Sequence, residues 1–211
     1  MFVVLMTFFV SCEKEITAER LDGTTWEGEA SSSLYFGHGG ACTAGIAFHG
    51  DSTAIVYSYF DGQLVDCAVV NYVLNYPDIL FQERDGRYVE DVDDGYFVDS
   101  KTLTLRKNLA TLTKQKHKIK SIGANGLVGT QWKSFDKDGN KPVIIYFQTS
   151  STAKINAYRF VYPYGDIQEE YEVSYTFDGI IGYFTLDNDH IGFGIIDGKL
   201  VSRGGAFNKI G

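Results

Sequence analysis

The sequence predicts an all-β protein made of two tandem antiparallel up-and-down units, and three observations lead to this prediction. The chain holds 14 Tyr, 15 Phe and 23 Gly but only 3 Pro, a composition that suits pleated strands separated by tight turns. Apolar residues recur at every second position, and no long stretch shows the helical period. Finally, the motif Gly-Thr-x-Trp occurs twice, at residues 23–26 and 129–132. Together these features indicate one β unit present in two copies.

The two motifs head segments that match each other over most of their length. Residues 48–59 align without gaps with residues 147–158, and both segments begin with Phe, carry Ser-Thr-Ala in register and end on Tyr. Further matched positions are Tyr72 with Tyr175, Phe81 with Phe184, Gly95–Val98 with Gly192–Ile195, and Leu103 with Leu200. The chain therefore divides into a first unit at 21–107, a Lys-rich connector at 108–126 and a second unit at 127–211.

Within each unit, the strands are expected to follow one another through hairpins. The first strand carries the tryptophan, and another follows Ser-Thr-Ala. Asp-Gly pairs then separate the alternating runs, because both residues tolerate the positive φ of two-residue hairpin turns. Such pairs stand at 61–62, 85–86, 138–139, 178–179 and 197–198. This spacing predicts about six or seven strands in each unit.

The first residues precede the predicted fold and indicate export. Residues 1–10 are almost wholly apolar, but they are too few to span a bilayer. The stretch ending in Ser11-Cys12 resembles a bacterial lipoprotein signal, which makes residues 1–11 a signal peptide. By this resemblance, Cys12 is the lipidated first residue, and residues 12–20 form a tether to the membrane of the cell envelope, as in outer-membrane lipoproteins of the Bacteroides type. An ordinary signal peptide with an incidental cysteine is the alternative.

An exported protein folds in a compartment where disulfides persist. The chain has 3 Cys, and removing the anchor Cys12 leaves Cys42 and Cys67. The match between the copies places these two over Lys141 and Glu170, so that a disulfide in one copy would correspond to an ion pair in the other. A bridge closing this loop of about 25 residues stabilises a fold by roughly 3 kcal/mol. We therefore expect a Cys42–Cys67 disulfide, with a coincidental placement as the alternative.

The connector carries lysine at every second position, at residues 114, 116, 118 and 120. In an extended segment these lysines lie on one face, which indicates a solvated face or an edge strand protected against aggregation. A site for an anionic partner is the alternative. The chain as a whole has a formal net charge of −8, which argues against nucleic acid as its partner.

The stretch Leu21 to Trp26, repeated as Val128 to Trp132, resembles the opening strand of lipocalin-like (calycin-type) barrels. The resemblance implies that Trp26 and Trp132 each pack across the closed end of a barrel. It extends to small lipocalin-like domains of Bacteroides-type lipoproteins. Two small barrels, or one composite barrel or sandwich, are both compatible with units of this length, and an eight-stranded barrel has room for little more than its own side chains.

No motif in the sequence identifies a reaction, a metal or a cofactor. The 4 His lack the spacing of metal ligands, and the nucleophile elbow of hydrolases is missing. We therefore expect non-covalent binding of a small lipophilic molecule, a glycan or a partner protein. Tyrosines are the candidate contact residues, because they combine a large ring with a polar tip. The candidates are Tyr57, Tyr59, Tyr72, Tyr158 and Tyr175.

Two alternatives to ligand binding stay open. The chain is also compatible with an envelope accessory or inhibitor protein that docks onto an enzyme or transporter through its outer faces. A hydrolase with a site assembled from loops is the third reading, since paired carboxylates need no local motif.

Overall fold

The computed structural model describes most of the chain from residue 15 onwards. The described residues are 15–34, 39–50, 52–82, 94–106, 110–134, 141–161, 165–186, 189–202 and 205–211. The predicted signal peptide at 1–11 and the predicted lipidation site Cys12 lie outside them. Within the described part, no helix is long and apolar enough to cross a membrane.

The first barrel follows one short helix, α1 (Ala18–Leu21). Its strands are β1 (Thr24–Ser32), β2 (Gly39–His49), β3 (Thr53–Phe60), β4 (Gln63–Asn75), β5 (Asp78–Gln82), β6 (Gly95–Asp99), β7 (Thr102–Leu105) and β8 (Thr111–Lys118). Each strand pairs antiparallel with the next, and β8 returns to pair with β1. The sheet therefore closes on itself.

The second barrel repeats this order. Its strands are β9 (Gln131–Lys133), β10 (Ile144–Phe147), β11 (Thr152–Val161), β12 (Gly165–Phe177), β13 (Ile181–Leu186), β14 (Asp189–Ile196), β15 (Lys199–Ser202) and β16 (Gly205–Lys209). Closure here is made by β16 against β9. The predicted all-β tandem architecture is confirmed. The sequence left open whether the units form two barrels or one composite barrel or sandwich, and the structure shows two closed barrels.

The strand count from sequence was too low. Each barrel has eight strands rather than six or seven, partly because short strands such as β7 and β9 carry too few residues to show an alternating pattern. The Lys-rich segment supplies another: Thr111–Lys118 is β8, which pairs on both sides and is no edge strand. The first unit therefore extends to Lys118, and the segment between the barrels is 119–130.

The interior of each barrel is filled by its own apolar side chains. In the first barrel they include Trp26, Ile46, Phe48, Val56, Tyr72, Phe81, Phe97, Leu103 and Leu112. In the second they include Trp132, Phe147, Val173, Tyr175, Phe184, Phe193, Ile195 and Leu200. The rings of Phe184 and Phe193 stack at 4.3 Å between centroids, so aromatic packing occupies the centre of the second barrel.

The repeated Gly-Thr-x-Trp motif forms the same local structure in both barrels. Gly23 and Gly129 have φ of +70° and +76°, a conformation that glycine adopts without steric cost. In the first barrel the indole Nε1–H of Trp26 donates to Thr24 Oγ1 at 3.0 Å, and that hydroxyl donates to the carbonyl oxygen of Leu21 at 2.5 Å. The second barrel repeats both bonds, at 2.8 and 2.5 Å, with Leu127 in the place of Leu21.

The strand registers support the proposed alignment of the copies in one region and correct it in another. Tyr72 pairs with Phe81 as Tyr175 pairs with Phe184, as the alignment requires. The match of Gly95–Val98 with Gly192–Ile195, however, is wrong by one residue. Phe97 pairs with Leu103 as Ile195 pairs with Leu200, and an irregularity in β6 after Phe97 absorbs the difference.

The predicted disulfide between Cys42 and Cys67 is not formed. Cys42 belongs to the interior core of the first barrel, whereas Cys67 belongs to a cluster on its outer face. Strand β3 lies between their strands, which separates the two backbones by about 10 Å, beyond the reach of a disulfide. The thiol of Cys67 instead donates to the carbonyl oxygen of Gly205, at 3.3 Å. The sequence could not reveal this, because the alternation along a strand does not say which neighbour is one strand away.

Candidate binding site between the barrels

The two barrels pack against each other through a third apolar cluster. It joins the outer face of β2 to β4 with the outer face of β13 to β16, and its buried members are Ala47, Ile55, Tyr57, Leu64, Cys67, Ile180, Ile181, Ile196 and Val201. Glycines on β14 allow the close approach. A Cβ added at Gly192 would lie 2.7 Å from Val69 Cβ, and one at Gly194 would lie 2.4 Å from Ile55 Cδ1. The barrels therefore share one buried interface.

A polar contact lies at the margin of this interface. His49 Nε2 is 2.8 Å from Asp178 Oδ2, which belongs to the second barrel. Asp178 also accepts hydrogen bonds from the backbone N–H groups of Ile180 and Ile181, both at 2.9 Å. Partial burial acts to raise the pKa of Asp178, but these hydrogen bonds and His49 outweigh it and hold the pKa below its usual range. The carboxylate is therefore the form that joins the barrels.

A cleft of about 990 Å³ opens beside the shared cluster. Its walls come from both barrels and from the segment that connects them. The lining residues are Thr25, Glu27, Glu29, Ala41, Cys42, Thr43, Tyr57, Tyr59, Asp61, Gly62, Ile119, Lys120, Ile122, Ile195, Ile196, Asp197 and Gly198. The size falls within the range of small-molecule sites.

Tyr57 forms the part of the wall nearest the shared cluster. Its hydroxyl donates to Glu27 Oε1 at 2.8 Å, which links β3 to β1 across β2. The ring lies over Gly45, where an added Cβ would come within 2.2 Å of the ring carbons. Burial, and after it the neighbouring Glu27 carboxylate, raise the pKa of the Tyr57 hydroxyl far above its ordinary value. The hydroxyl therefore stays protonated and acts as a hydrogen-bond donor.

Tyr59 links the two barrels across the cleft. Its hydroxyl donates to a carboxylate oxygen of Asp197 in the second barrel, and its ring meets the ring of Tyr57 edge to face at 5.7 Å between centroids. Burial and the bond to Asp197 raise the pKa of the Tyr59 hydroxyl as well. Both tyrosines are thus held in place by carboxylates, and neither is a candidate nucleophile.

Two hairpin turns form the rim of the cleft. Asp61-Gly62 connects β3 to β4, with φ of +49° and +73°, and Asp197-Gly198 connects β14 to β15, with φ of +48° and +72°. Positive φ at both central residues defines the hairpin turn that Asp-Gly favours. Each turn therefore places an aspartate at the cleft, one from each barrel.

The lining combines acidic and apolar side chains. Among the described residues it contains the four carboxylates of Glu27, Glu29, Asp61 and Asp197 and the single ammonium of Lys120. Its apolar part comes mainly from Ile119 and Ile122 of the connecting segment and from Ile196 of β14. Among the described residues, no group of three or more His, Cys, Asp and Glu side chains is arranged to hold a metal ion.

The structure brings together two of the five predicted contact tyrosines. Tyr57 and Tyr59 line the cleft, whereas Tyr72 and Tyr175 point into the barrel interiors. Their hydroxyls donate to the carbonyl oxygens of Gly50, at 3.2 Å, and Thr149, at 2.7 Å. Tyr158 is 39% exposed and does not line the cleft.

Sequence reasoning missed the carboxylates and the isoleucines of the cleft. Glu27 lies one residue after the Trp26 of the motif, and the alternation of faces would have placed it on the outer surface. Asp197 was recognised only as a turn residue. No local sequence pattern shows that the outer surfaces of the two barrels meet at this cleft.

Comparisons of the chain with protein-family models, with curated proteins and with solved structures found no match. The chemistry of the cleft therefore has to be argued from its own residues.

Proposed function

We propose that this protein is an exported, lipid-anchored component of the cell envelope that binds a small molecule non-covalently in the cleft between its barrels. The proposal rests on the location of the open cleft, which lies between the barrels. The barrel interiors hold clusters of buried apolar side chains, while about 990 Å³ lies open where the barrels meet. A concave site with an apolar wall and a few directed polar groups is typical of small-molecule binding.

The polar groups of the cleft favour binding over a reaction. Both tyrosine hydroxyls donate to carboxylates, and the carboxylate at one end of each pair is thereby oriented. Such fixed groups set the position of a ligand at little entropic cost. We propose no enzymatic activity and no cofactor.

The binding test is native mass spectrometry of residues 15–211 after incubation with an extract of the producer's envelope. This form keeps Ile16 and Leu21, which pack into the first barrel. We expect the wild type to retain one small molecule per chain. The variant Ala41→Trp places an indole in the cleft and should not retain this molecule. Thr176→Trp adds the same side chain to an exposed position of β12 and should retain the ligand. Equal retention by both variants would place the ligand elsewhere and contradict the proposal.

The anchor has its own test. Cys12→Ala should move the full chain from the membrane to the soluble fraction, because a lipid chain is attached through that thiol. Cys42→Ala is the matched control, since Cys42 is buried inside the first barrel, and it should stay with the membrane. Unchanged partitioning of Cys12→Ala would exclude the lipid anchor without bearing on the cleft.

A second candidate, docking onto a partner protein through an outer face, is favoured by one patch. Val73 and Leu80 are cross-strand neighbours on β4 and β5 and are 37% and 36% exposed, and on β6 Tyr96 is 37% and Val98 is 55% exposed. The same experiment can distinguish the two candidates. If a protein from the extract is retained by the wild type and by Ala41→Trp but not by Leu80→Asp, docking is favoured over a ligand in the cleft.

A further inference from the structure

The negative side of the cleft is assembled from separate elements. Glu27 and Glu29 stand on the outer face of β1, Asp61 lies in the β3–β4 turn, and Asp197 lies in the β14–β15 turn of the other barrel. Carboxylates brought to one cavity by different parts of a fold repel one another. They lower the free energy of a cation that enters between them.

Lys114 of β8 is directed away from this side. Lys114 extends its ammonium over the ring of Trp26, at 5.9 Å from the ring centroid, and Trp26 belongs to the barrel interior. Glu27 follows Trp26 directly in β1, so its side chain leaves the sheet on the opposite face. Among the described residues, Lys120 is the one lysine that lines the cleft. This part of the lining therefore carries four carboxylates and one ammonium.

The apolar part of the lining is partly exposed. Ile122 is 40% exposed even though its backbone is fixed by a hydrogen bond from its N–H to the carbonyl oxygen of Gly179, at 2.9 Å. Ile119 is half-buried, and the buried Ile196 of β14 also lines the cleft. Covering such a surface with an apolar ligand body contributes about 25 cal/mol for each Å² removed from water.

From this combination of carboxylates and apolar surface in one cleft we infer that the cleft selects a cationic amphiphile, with an ammonium or guanidinium head and an apolar body. The head lies between Glu27, Asp197 and the half-buried ring of Tyr59, where carboxylates and an aromatic face both attract a cation. The body lies along Ile119, Ile122 and Ile196. This inference rests on the proposed function and adds the chemical class of the ligand.

The test compares four probes by isothermal titration calorimetry with residues 15–211, all below their micelle concentrations. Dodecyltrimethylammonium has both the head and the body, dodecyl sulfate has the body with the opposite charge, dodecyl maltoside has the body without charge, and tetramethylammonium has the head alone. We expect dodecyltrimethylammonium to bind one per chain, about tenfold or more tighter than either other dodecyl probe. Tetramethylammonium should bind weakly or not at all.

Two variants test the carboxylates without disturbing the fold. Glu27→Gln keeps an oxygen that accepts from Tyr57 and removes only the charge, so we expect dodecyltrimethylammonium to bind about threefold to tenfold more weakly. Glu29→Lys, at an exposed position, should shift the preference towards dodecyl sulfate. Glu172→Lys, exposed on β12 and outside the cleft, is the matched control and should change neither affinity.

The outcomes separate this inference from the proposed function. Binding of dodecyl sulfate or dodecyl maltoside as tightly as the cation, abolished by Ala41→Trp, overturns the charge preference and leaves cleft binding standing. Cation binding that Glu27→Gln and Glu29→Lys leave unchanged also overturns the inference. If Ala41→Trp affects no probe and the envelope extract yields no ligand, the cleft itself is not the binding site and both proposals fail.

Discussion

Each tryptophan of this chain is tied to the residue that introduces its strand. The threonine two positions earlier accepts a hydrogen bond from the indole N–H, and its own hydroxyl donates one to the carbonyl oxygen of a leucine. A buried indole N–H without an acceptor is costly, and Trp26 is 0% and Trp132 3% exposed. The spacing Thr-x-Trp is therefore set by a hydrogen bond, and the preceding glycine by a positive φ.

We expect Thr24→Val to lower the free energy of unfolding by about 1–3 kcal/mol, because it leaves a buried donor and a buried acceptor without their partner. Urea unfolding followed by circular dichroism measures the change. Thr176→Val, at an exposed position of β12, is the control and should stay within about 0.5 kcal/mol of the wild type. An equal effect of the two changes would show that the hydroxyl of Thr24 does not carry the stability.

Cys42 and Cys67 give a second prediction at this scale. Cys42 is 4% and Cys67 0% exposed, on opposite faces of the sheet. A thiol titration of residues 15–211, oxidised in air, should therefore detect two thiols per chain in denaturant and react slowly in the native state. Detection of none in denaturant would mean that the cysteines do pair and that this part of the fold is different.

Single residues were predictable where the chemistry is local. Tyr57 and Tyr59 stood out because a tyrosine on an alternating strand combines a large ring for contact with a polar tip. Glu27 did not, because its partner Tyr57 lies 30 residues away in the chain, and sequence order alone does not place one beside the other.

At the scale of elements, β14 is one of the strands that pack against the first barrel, and its glycines allow a close approach. A Cβ at Gly192 meets Val69 Cβ, an atom fixed to the backbone, whereas one at Gly194 meets first Ile55 Cδ1, the end of a flexible side chain. We therefore expect Gly192→Ala to destabilise the protein by about 1–3 kcal/mol, and Gly194→Ala by less. Urea unfolding of the two variants measures the difference.

The double variant Gly192→Ala with Val69→Gly is the control for this explanation. Removing Val69 Cβ, the atom nearest to the new methyl group, makes room for it, so the two changes together should cost less than the sum of the single changes. Additive effects would show that Gly192 is needed for another reason.

The contact of His49 with Asp178 predicts a dependence on pH. The pKa of Asp178 is lowered in the folded protein, so its stabilisation is present above the ordinary pKa of about 4 and is lost as pH falls through the folded pKa. Asp178→Asn should therefore be less stable than the wild type at about pH 5, by less than about 1 kcal/mol because the side chain is half-exposed.

Thermal unfolding at about pH 5 and at about pH 3 or lower measures this effect. The difference between Asp178→Asn and the wild type should shrink at the lower pH, where the wild-type carboxylate takes up its proton. Asp189→Asn, exposed at the start of β14, should show no such change. A difference that grows towards low pH would contradict the assigned sign.

The elements that the sequence revealed are those with a strong local signal. The turns at 61–62 and 197–198 form as Asp-Gly predicts. Strands β7, β9 and β10 have four residues or fewer, which is too short for alternation to stand out. The lysines of β8 suggested a connector, although Leu112 of the same strand packs into the barrel core.

At the scale of the whole molecule, the shared apolar cluster predicts that the barrels unfold together. Trp26→Phe alters only the first barrel, and the remaining Trp132 then reports on the second. If the barrels are coupled, the urea midpoint of Trp132 fluorescence should fall, with a destabilisation of about 1–3 kcal/mol. Circular dichroism should show the same single transition. A Trp132 midpoint equal to that of the wild type would mean that the barrels unfold independently.

The tandem architecture was predictable because the repeat is visible in the chain, while the cleft was not. The cleft is formed by the outer faces of β1 and β3 and by the β14–β15 hairpin. The alternation of residues along each strand predicts which side chains lie on these faces. Their contact follows from Gly192 and Gly194, whose role becomes clear only when Val69 and Ile55 lie opposite them.

The two barrels are copies of one unit, yet each meets the other through a different surface. The contact is therefore heterologous, and units of this kind would add head to tail without limit if every surface stayed apolar. The cross-strand pair Ile55 and Val69 supplies the apolar surface in the first barrel. By register its places in the second are taken by Lys154 and Glu172, and Lys154 also forms an ion pair with Glu170 at 2.8 Å. A third unit docking in the same way would have to desolvate these charged side chains, which disfavours repetition of the contact.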